Sequence, residues 1–161
     1  MADLEIRNIT HPEDPALKSV EKLFRDMYEH IKDKGLKTPL VSDGEKIWMK
    51  SVKKTLDRFG AVIVAEENGE VIGFVHGLIR FMPDFLGGEK MGFVTHQHIE
   101  PEHRNKGLGK KLMRKLEEWF FGKGIRQIEL QANYYNEYSR KYLEKSGYEY
   151  EIVQFRKFLD G

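Results

Sequence analysis

The stretch that most constrains the fold runs from Ile99 to Leu116 and reads IEPEHRNKGLGKKLMRKL. It follows an apolar run, and Pro101 ends that predicted strand because proline has no N–H to donate to a ladder. Gly107 and Gly109 permit positive φ angles and let a ligand approach the backbone closely. Apolar residues then recur at helical spacing, which predicts an amphipathic helix. The chain therefore places a strand, a glycine turn and a helix in succession.

The start of this helix carries an unusual concentration of positive charge. The cations are Arg104, Lys106, Lys110, Lys111, Arg114 and Lys115. A helix N-terminus bears a partial positive charge, so cations there are locally unfavourable. A bound polyanion removes the conflict, because free backbone N–H groups would hold its phosphates and the side chains would neutralise it. We therefore interpret the turn as a pyrophosphate-binding site. It is neither a P-loop, since the first glycine and the hydroxyl residue are missing, nor a G-x-G-x-x-G turn, since Leu112 takes the third glycine position.

Composition limits the classes of protein that this chain can be. Its 161 residues are enough for one domain, predicted over residues 1–161. A net charge of +1 argues against bulk nucleic-acid binding. The absence of cysteine excludes a disulfide framework, a cysteine nucleophile and a thiolate zinc site, and is compatible with a cytoplasmic location. No apolar run approaches the ~18 residues of a membrane span, so we expect no membrane partner.

Hydrophobic periodicity predicts the element order β-α-α-β-β-β-α-β-α-β. The predicted strands are 4–9, 61–65, 71–80, 90–99, 125–132 and 148–159, and the predicted helices are about 15–34, 44–59, 108–121 and 135–146. This order indicates an α/β (α+β) fold with a mixed, largely antiparallel sheet of six to seven strands and helices on both faces. A right-handed crossover places strands four and five side by side and parallel. A ligand would bind at their carboxyl ends, beside the glycine turn.

Two local patterns support a family resemblance. Residues 104–109 fit Arg-x-x-Gly-x-Gly after a strand, and this turn resembles the acetyl-CoA turn of the GNAT N-acetyltransferase superfamily. Residues 136–148 are similar to the family's N-x-x-A-x-x-x-Y-x-x-x-G-F segment, with Asn136 and Gly147 matching, Ser139 as the small residue and Tyr148 as the final aromatic. The element order is also GNAT-like, so the resemblance covers nearly the whole chain.

The resemblance implies a reaction and a set of binding residues. The reaction is transfer of an acetyl group from acetyl-CoA to a primary amine of a small molecule or peptide, by direct attack in a ternary complex. Backbone groups of the turn would bind the pyrophosphate, the end of strand four would pair with the pantetheine arm, and Asn136 would contact that arm. The implied co-substrate-binding residues are Gln97, His98, Ile99, Arg104, Asn105, Lys106, Gly107, Leu108, Gly109, Lys110 and Asn136.

The general base is not evident from the family pattern. An amine of pKa near 10.4 is almost fully protonated at pH 7, so a proton must be removed. The strand-five glutamate of some relatives falls on Gln131. His96 and His98 are the main candidates, since an imidazole of pKa near 6.5 suits this work. They share a strand face, opposite to Thr95 and Gln97 unless a bulge intervenes. Glu100 and an ordered water chain are alternatives, as is packing of the histidines in the core.

The residue that protonates the departing thiolate is equally open. The tyrosine that the family uses falls on Leu143. Tyr142 is adjacent, but one helical residue turns the side chain by about 100°. Tyr138, one turn earlier, is the better substitute, and the tyrosines at 134 and 135 are weaker candidates. Packing of these rings against the sheet is the structural alternative.

Several further expectations complete the analysis. We predict no metal site, because a His-x-His site with His103 lacks a clear carboxylate or cysteine partner set. The predicted wall of the acceptor site consists of the first two helices, the loop 81–90 and the last strand, with an apolar surface from Tyr28, Trp48, Phe81, Met82 and Phe85.

An exposed sixth strand would allow a homodimer. Two other functions stay open: a non-catalytic acyl-CoA-binding or sensing module, and a nucleic-acid or phosphopeptide binder, which the near-zero net charge disfavours.

Overall fold

The computed structural model describes residues 3–160, so Met1, Ala2 and Gly161 of the predicted domain lie outside the described residues. Within them, the strands are β1 (Leu4–Ile9), β2 (Gly60–Glu67), β3 (Glu70–Phe81), β4 (Lys90–Ile99) and β5 (Ile128–Leu130). The α-helices are α1 (Ala16–Ile31), α2 (Gly44–Thr55), α3 (Leu108–Gly122) and α4 (Glu137–Lys145). In this part of the chain, none of these helices is long and apolar enough to cross a membrane.

The strands form one sheet in the order β1-β2-β3-β4-β5. The first four strands are antiparallel neighbours, and β5 runs parallel to β4, with Gly92 opposite Ile128. A meander can use short hairpins, whereas the parallel pair needs a long crossover, which α3 supplies. The predicted parallel pairing of the fourth and fifth strands is therefore confirmed.

The helices cover both faces of the sheet because β2 and β3 are apolar on both sides. Val62, Val64 and Phe74 pack with α1 and α2 in one buried cluster. On the other face, Ile63 and Val75 pack with α3 in a second cluster. Strand residues alternate between faces, so a continuous apolar run feeds two cores. The sheet is thereby fixed between the two helical layers.

Helix α3 lies very close to the sheet at one point. A Cβ atom added at Gly92 would meet the ring of Phe120 at 3.0 Å, and one added at Gly77 would meet it at 2.7 Å. Phe120 is fully buried. The two glycines thus form a hollow that the Phe120 ring fills, which sets the distance between α3 and strands β3 and β4.

The predicted count of six to seven strands is wrong, since the described residues contain five. β5 extends over three residues instead of 125–132, and residues 149–160 have no regular secondary structure in place of the predicted strand at 148–159. The predicted last strand would have to pair along the free edge of β5, and β5 has only three residues to offer it. The order therefore ends at α4, without the last predicted strand.

Candidate active site

A β-bulge shapes the middle of β4. His76 of β3 pairs with His96, but the next residue, Gly77, pairs with Val94, so Thr95 is the extra residue. A bulge turns two successive side chains to the same face of the sheet. Thr95 and His96 accordingly line the same cavity, while Val94 packs with the α3 cluster. The bulge is the exception that the sequence analysis allowed for, and it puts Thr95 on the same face as His96.

Beyond this bulge, β4 has an open edge. The last pair between β4 and β5 joins Val94 to Leu130, although β4 continues to Ile99. Residues 96–99 therefore pair with β3 on one side, and residues 95–99 have no strand partner on the other side within the described residues. An open strand edge can hydrogen-bond an extended ligand. This edge runs directly into the glycine turn.

The glycine turn carries a row of free backbone donors. In the described part of the chain, no intramolecular hydrogen bond has its donor among the backbone N–H groups of residues 105–110. Asn105 and Gly107 have left-handed φ angles of 63° and 80°. Gly109 lies in α3 and does not use the positive φ that glycine permits. A side chain at Gly109 would fill the space instead, with its Cβ 3.4 Å from Gln97 Nε2 and Tyr142 Oη.

The cations beside these donors are exposed and lack carboxylate partners. No ion pair of the described residues includes Lys106, Lys110, Lys111, Arg114 or Lys115. Free N–H groups at a helix N-terminus together with unpaired cations suit a polyanion such as a pyrophosphate. The turn therefore fits the phosphate end of a nucleotide-like co-substrate.

Three of the predicted binding residues use their side chains to build this site. Arg104 donates through Nε to the Ile99 carbonyl at 2.8 Å, and its Nη1 lies 2.8 Å from His30 Nε2. Gln97 Nε2 donates to the Gly109 carbonyl at 2.8 Å. Asn136 Oδ1 accepts from Ser139 N at 3.3 Å and caps α4. Arg104 and Gln97 thus hold the turn against the end of β4, while Asn136 orients α4.

The tyrosines of α4 occupy different parts of the cleft. Tyr138 is exposed, and its hydroxyl donates to Asn105 Oδ1 at 3.1 Å, which places it on the glycine turn. The Tyr142 hydroxyl is buried without a hydrogen-bond partner and lies between β4 and the start of α3. Sequence reasoning preferred Tyr138 over Tyr142. The structure places the Tyr142 hydroxyl beside the open edge of β4 and the Tyr138 hydroxyl at the turn.

A cavity of about 410 Å³ opens where β4 and β5 separate. Its walls come from α2, β3, β4 and Gln131 after β5, and they include Trp48, Phe93 and His96. Trp48 stacks on Phe24, and the Phe24 ring in turn meets His96 edge-on at 4.7 Å between centroids. Trp48, which the sequence places in the acceptor wall, lines this cavity. Phe81 and Phe85 are exposed and do not line this cavity.

Thr95 connects two histidines at the polar end of the cavity. His76 Nδ1 lies 2.5 Å and His96 Nδ1 lies 3.0 Å from Thr95 Oγ1, and the hydroxyl donates to the His76 carbonyl at 3.2 Å. When the one hydroxyl proton goes to the His76 carbonyl, both rings donate to Oγ1 through Nδ1–H. In that arrangement each Nε2 keeps a free lone pair. His76 Nε2 is buried and unpartnered.

Burial keeps the histidines of this site neutral at pH 7. It lowers the pKa of His96 to about 4 and that of His76 to about 3, where the nearby His96 adds to the effect. Burial, assisted by Arg104, lowers the pKa of His98 to about 4. His98 lies apart from the cavity, beside His30, with ring centroids 6.4 Å apart. Both predicted bases are therefore proton acceptors at neutral pH, but neither titrates between pH 6 and 7.

One group of potential metal ligands occurs among residues 3–160. Ligand atoms of Glu100, Glu102 and His103 lie within 4.8 Å of one another. His103 Nδ1 is also 3.4 Å from Glu67 Oε2, and its Nε2 is 3.9 Å from Glu100 Oε2. The imidazole thus has carboxylate neighbours of its own. His96 and His98 are outside this group, and the absence of a metal stays a prediction.

The open strand edge, the anion-binding turn and the cavity together define an acyltransferase of the acetyl-CoA type. The family model described as "Acetyltransferase (GNAT) family" matches residues 17–148. The chain belongs to the GNAT acetyltransferase family, and acetyl-CoA is its co-substrate. A curated relative is the uncharacterized N-acetyltransferase YhfO of Bacillus subtilis (strain 168), with 23% identity over 91% of this chain and 90% of that protein.

Solved structures show the same fold. The aminoglycoside N-acetyltransferase AAC(6')-Iy in complex with CoA has a TM-score of 0.77 at 20% identity, covering 98% of this chain and 96% of its own. A GCN5-related N-acetyltransferase from Ralstonia eutropha JMP134 has a TM-score of 0.76 at 19% identity, covering 97% and 99%. Family membership supports the enzyme over the non-catalytic sensing module.

Sequence reasoning missed three features of the site. His76 was not considered because it lies inside an apolar strand, where a histidine is indistinguishable from a packing residue. Thr95 became important only through the bulge, and the sequence carries no signal for its position. Arg80 lines the cavity from β3, far from the recognised motifs. The register of β3 against β4 brings all three together.

Proposed function

We propose that the protein transfers an acetyl group from acetyl-CoA to a primary amine by direct attack in a ternary complex, within one domain. This proposal rests on the observation that the glycine turn, the open edge of β4 and the cavity adjoin one another in that order. Unpaired N–H groups of the turn lead to the open edge of β4, and that edge leads to His96 at the cavity where β4 and β5 separate. A thioester arm and an amine can therefore approach each other from opposite sides of the bulge.

The binding residues divide by the part of the co-substrate that they serve. Backbone N–H groups of residues 105–110 hold the pyrophosphate, and Lys106 and Lys110 lie beside them to neutralise it. The backbone of Gln97, His98 and Ile99 pairs with the pantetheine arm along the open edge. Asn136 caps the N-terminus of α4 and so orients that helix beside the proposed binding site. Arg104 acts by holding the turn in place rather than by direct contact.

His96 accepts the proton of the amine. The amine nitrogen attacks the thioester carbonyl carbon, the new N–C bond forms, the C–S bond breaks, and the thiolate of CoA leaves. The proton on nitrogen passes to His96 Nε2, directly or through water. A folded-state pKa of about 4 makes His96 a weak base, so it removes this proton as the N–C bond forms instead of deprotonating free ammonium.

The experiment that tests this proposal measures thiol release. The purified protein is mixed with acetyl-CoA and a panel of primary amines, and free CoA is followed with time. We expect amine-dependent release, and His96→Asn is expected to lower kcat by about 10²-fold, as for loss of a general base. CoA affinity should not change.

His98→Asn is the matched comparison, since His98 is a buried imidazole of the same strand that lies outside the cavity. An equal loss of kcat in both variants would argue against His96 as the base. Release that no amine accelerates, with CoA bound tightly, would reject the transferase and restore the sensing module.

We also propose a homodimer formed through the C-terminal segment, defined as residues 149–160. Six of its large apolar side chains are exposed: Tyr150, Ile152, Val153, Phe155, Phe158 and Leu159. β5 is an edge strand, so its outer side can accept a strand from a second copy. Multi-angle light scattering should report a dimer for the full chain and a monomer for a chain ending at residue 148. A monomer in both cases would reject this interface.

A further inference from the structure

The charge of the acceptor cavity is unusual for an enzyme that takes cationic amines. Eleven residues line it, and none is Asp or Glu. The only ionised side chain among them at pH 7 is Arg80, since burial keeps His76 and His96 neutral. Arg80 takes part in none of the ion pairs formed by the described residues. The cavity therefore offers one unpaired cation to its ligand.

The guanidinium of Arg80 has a defined position in this cavity. Its Cζ lies 3.7 Å from the centroid of the Phe93 ring, which also lines the cavity. A guanidinium stacked on an aromatic face keeps its N–H donors in the plane, directed away from the ring. Those donors match the geometry of a carboxylate or phosphate. Arg80 is thus oriented to bind an anion.

The strand register gives the span between this cation and the base. Arg80 is exposed and pairs with Met91, four residues from His76 on β3, but its guanidinium lies over the ring of Phe93. Phe93 pairs with Leu78 and His96 pairs with His76, so the backbone levels of Phe93 and His96 lie two residues apart on β3. At about 3.3–3.4 Å per strand residue, that separation is about 7 Å. An extended chain advances roughly 3.5 Å per three bonds, so about six bonds cover it. An α-amino acid, with its charged groups much closer together, is too short.

We propose that the acceptor is a primary amine that carries an anionic group about 7 Å from its nitrogen. The amine nitrogen lies at His96, the anion lies at Arg80, and the connecting chain packs against Trp48 and Phe93. This assignment rests on the proposed acetyl transfer and specifies its substrate class. It also predicts that polycationic amines are poor acceptors, because the cavity gives their additional charges no carboxylate.

Glu129 is an acidic side chain near the cavity, and it could select a cationic acceptor in place of an anionic one. Glu129 pairs with Phe93 across the parallel β4–β5 ladder, but it is exposed and does not line the cavity. If Glu129 rather than Arg80 selected the acceptor, a dicationic amine would be preferred. Arg80 as the selecting residue predicts a preference for an anionic amine, whereas Glu129 predicts a preference for a diamine. The assignment can therefore be tested by comparing such acceptors.

The test compares three acceptors of matched length: 5-aminopentanoate, pentylamine and 1,5-diaminopentane. We expect kcat/KM for 5-aminopentanoate to exceed that for each of the other two at least tenfold, and to exceed that for glycine by more. Arg80→Leu should reduce the preference over pentylamine to about one, whereas Arg80→Lys should keep part of it. Glu129→Gln is the matched control and should leave the preference intact. A preference for the diamine, or no preference, would overturn the assignment while leaving acetyl transfer established.

A binding measurement separates this proposal from the proposed function. The chain has two tryptophans, so Trp119→Phe leaves Trp48 in the cavity as the only tryptophan, whose fluorescence can be excited selectively. We expect 5-acetamidopentanoate, the predicted product, to change Trp48 fluorescence, and Arg80→Leu in this background to weaken its binding at least tenfold. Equal binding with and without Arg80 would reject the anion site whether or not any amine is acetylated. Arg80-dependent binding without turnover of any amine would reject only the transferase.

Discussion

At the scale of single residues, Thr95 bears on the proposed role of His96. Its Oγ1 lies within hydrogen-bond distance of Nδ1 of both histidine rings, and when its proton goes to the His76 carbonyl both rings carry their proton on Nδ1 and leave Nε2 free. Without this hydroxyl, His96 can take the other tautomer, in which Nε2 carries the proton and cannot accept another. Thr95 is thus a positioning residue, because it acts through His96 and not on the substrate.

Replacing Thr95 tests this role. Thr95→Val keeps the shape of the side chain but removes the hydroxyl, and we expect kcat to fall about tenfold because a smaller fraction of His96 has Nε2 free. Thr95→Ser restores the hydroxyl and should restore most of kcat. Stopped-time assays of CoA release at saturating acetyl-CoA give these values. A Ser variant as slow as the Val variant would show that packing at Thr95, and not its hydroxyl, matters.

Tyr142 carries a second prediction at this scale. Its hydroxyl is buried without a partner, so Tyr142→Phe should leave the free energy of unfolding unchanged or raise it by about 1 kcal/mol. If the hydroxyl instead serves the bound co-substrate, the same variant should bind CoA more weakly. Chemical denaturation and calorimetric titration measure the two effects. Tyr138→Phe is the comparison, since its exposed hydroxyl contacts only the turn.

At the scale of elements, the segments with strong sequence signals were predictable. β4 has the predicted bounds of 90–99, and α3 begins at the predicted residue because Gly107 precedes a clear apolar stripe. The glycine turn could be predicted because its glycines and the cations that surround them are visible in the sequence. The missing last strand was not predictable, because the apolar pattern of residues 149–160 does not report whether a partner edge exists. The bulge at Thr95 was not predictable either, since strand pairing decides it.

The contact between α3 and the sheet gives a prediction for an element. Gly92→Ala would force a Cβ to 3.0 Å from the Phe120 ring, and we expect a loss of about 1–3 kcal/mol in the free energy of unfolding from overpacking. Gly122→Ala is the matched control. Gly122 lies in α3, the helix that carries Phe120, and a Cβ added there has nothing within 4 Å. The free energy of unfolding of Gly122→Ala should therefore stay the same or rise by about 0.4–1 kcal/mol. Urea denaturation distinguishes the two, and equal stability of both variants would contradict the close packing.

At the scale of the whole molecule, three buried histidines couple stability to pH. Burial lowers the pKa values of His76, His96 and His98 to about 3, 4 and 4, while an unfolded histidine titrates near 6.5. Between pH 6.5 and about 4, the unfolded chain binds protons that the folded chain does not. The free energy of unfolding therefore falls as pH is lowered through this range, by up to about 1.4 kcal/mol per pH unit for each histidine.

Urea denaturation at pH 7, 6 and 5 measures this dependence. His98→Asn should reduce the slope by about one third of the histidine contribution, because one of three proton-binding sites is removed from the unfolded chain. His11→Asn is the control, since it replaces an exposed histidine. A slope that neither variant changes would show that other groups govern the acid sensitivity.

The hollow formed by Gly77 and Gly92 has a mechanical consequence. Phe120 sits in it near one end of α3, and the glycine turn lies at the other end, twelve residues or about 18 Å away along the helix axis. The apolar side chains of α3 pack against the sheet along its whole length, from Leu108 to Phe120, so the helix is held as one rigid unit. A larger or smaller side chain at position 120 would therefore shift the whole helix, and with it the proposed pyrophosphate-binding turn, from a position about 18 Å away from that turn.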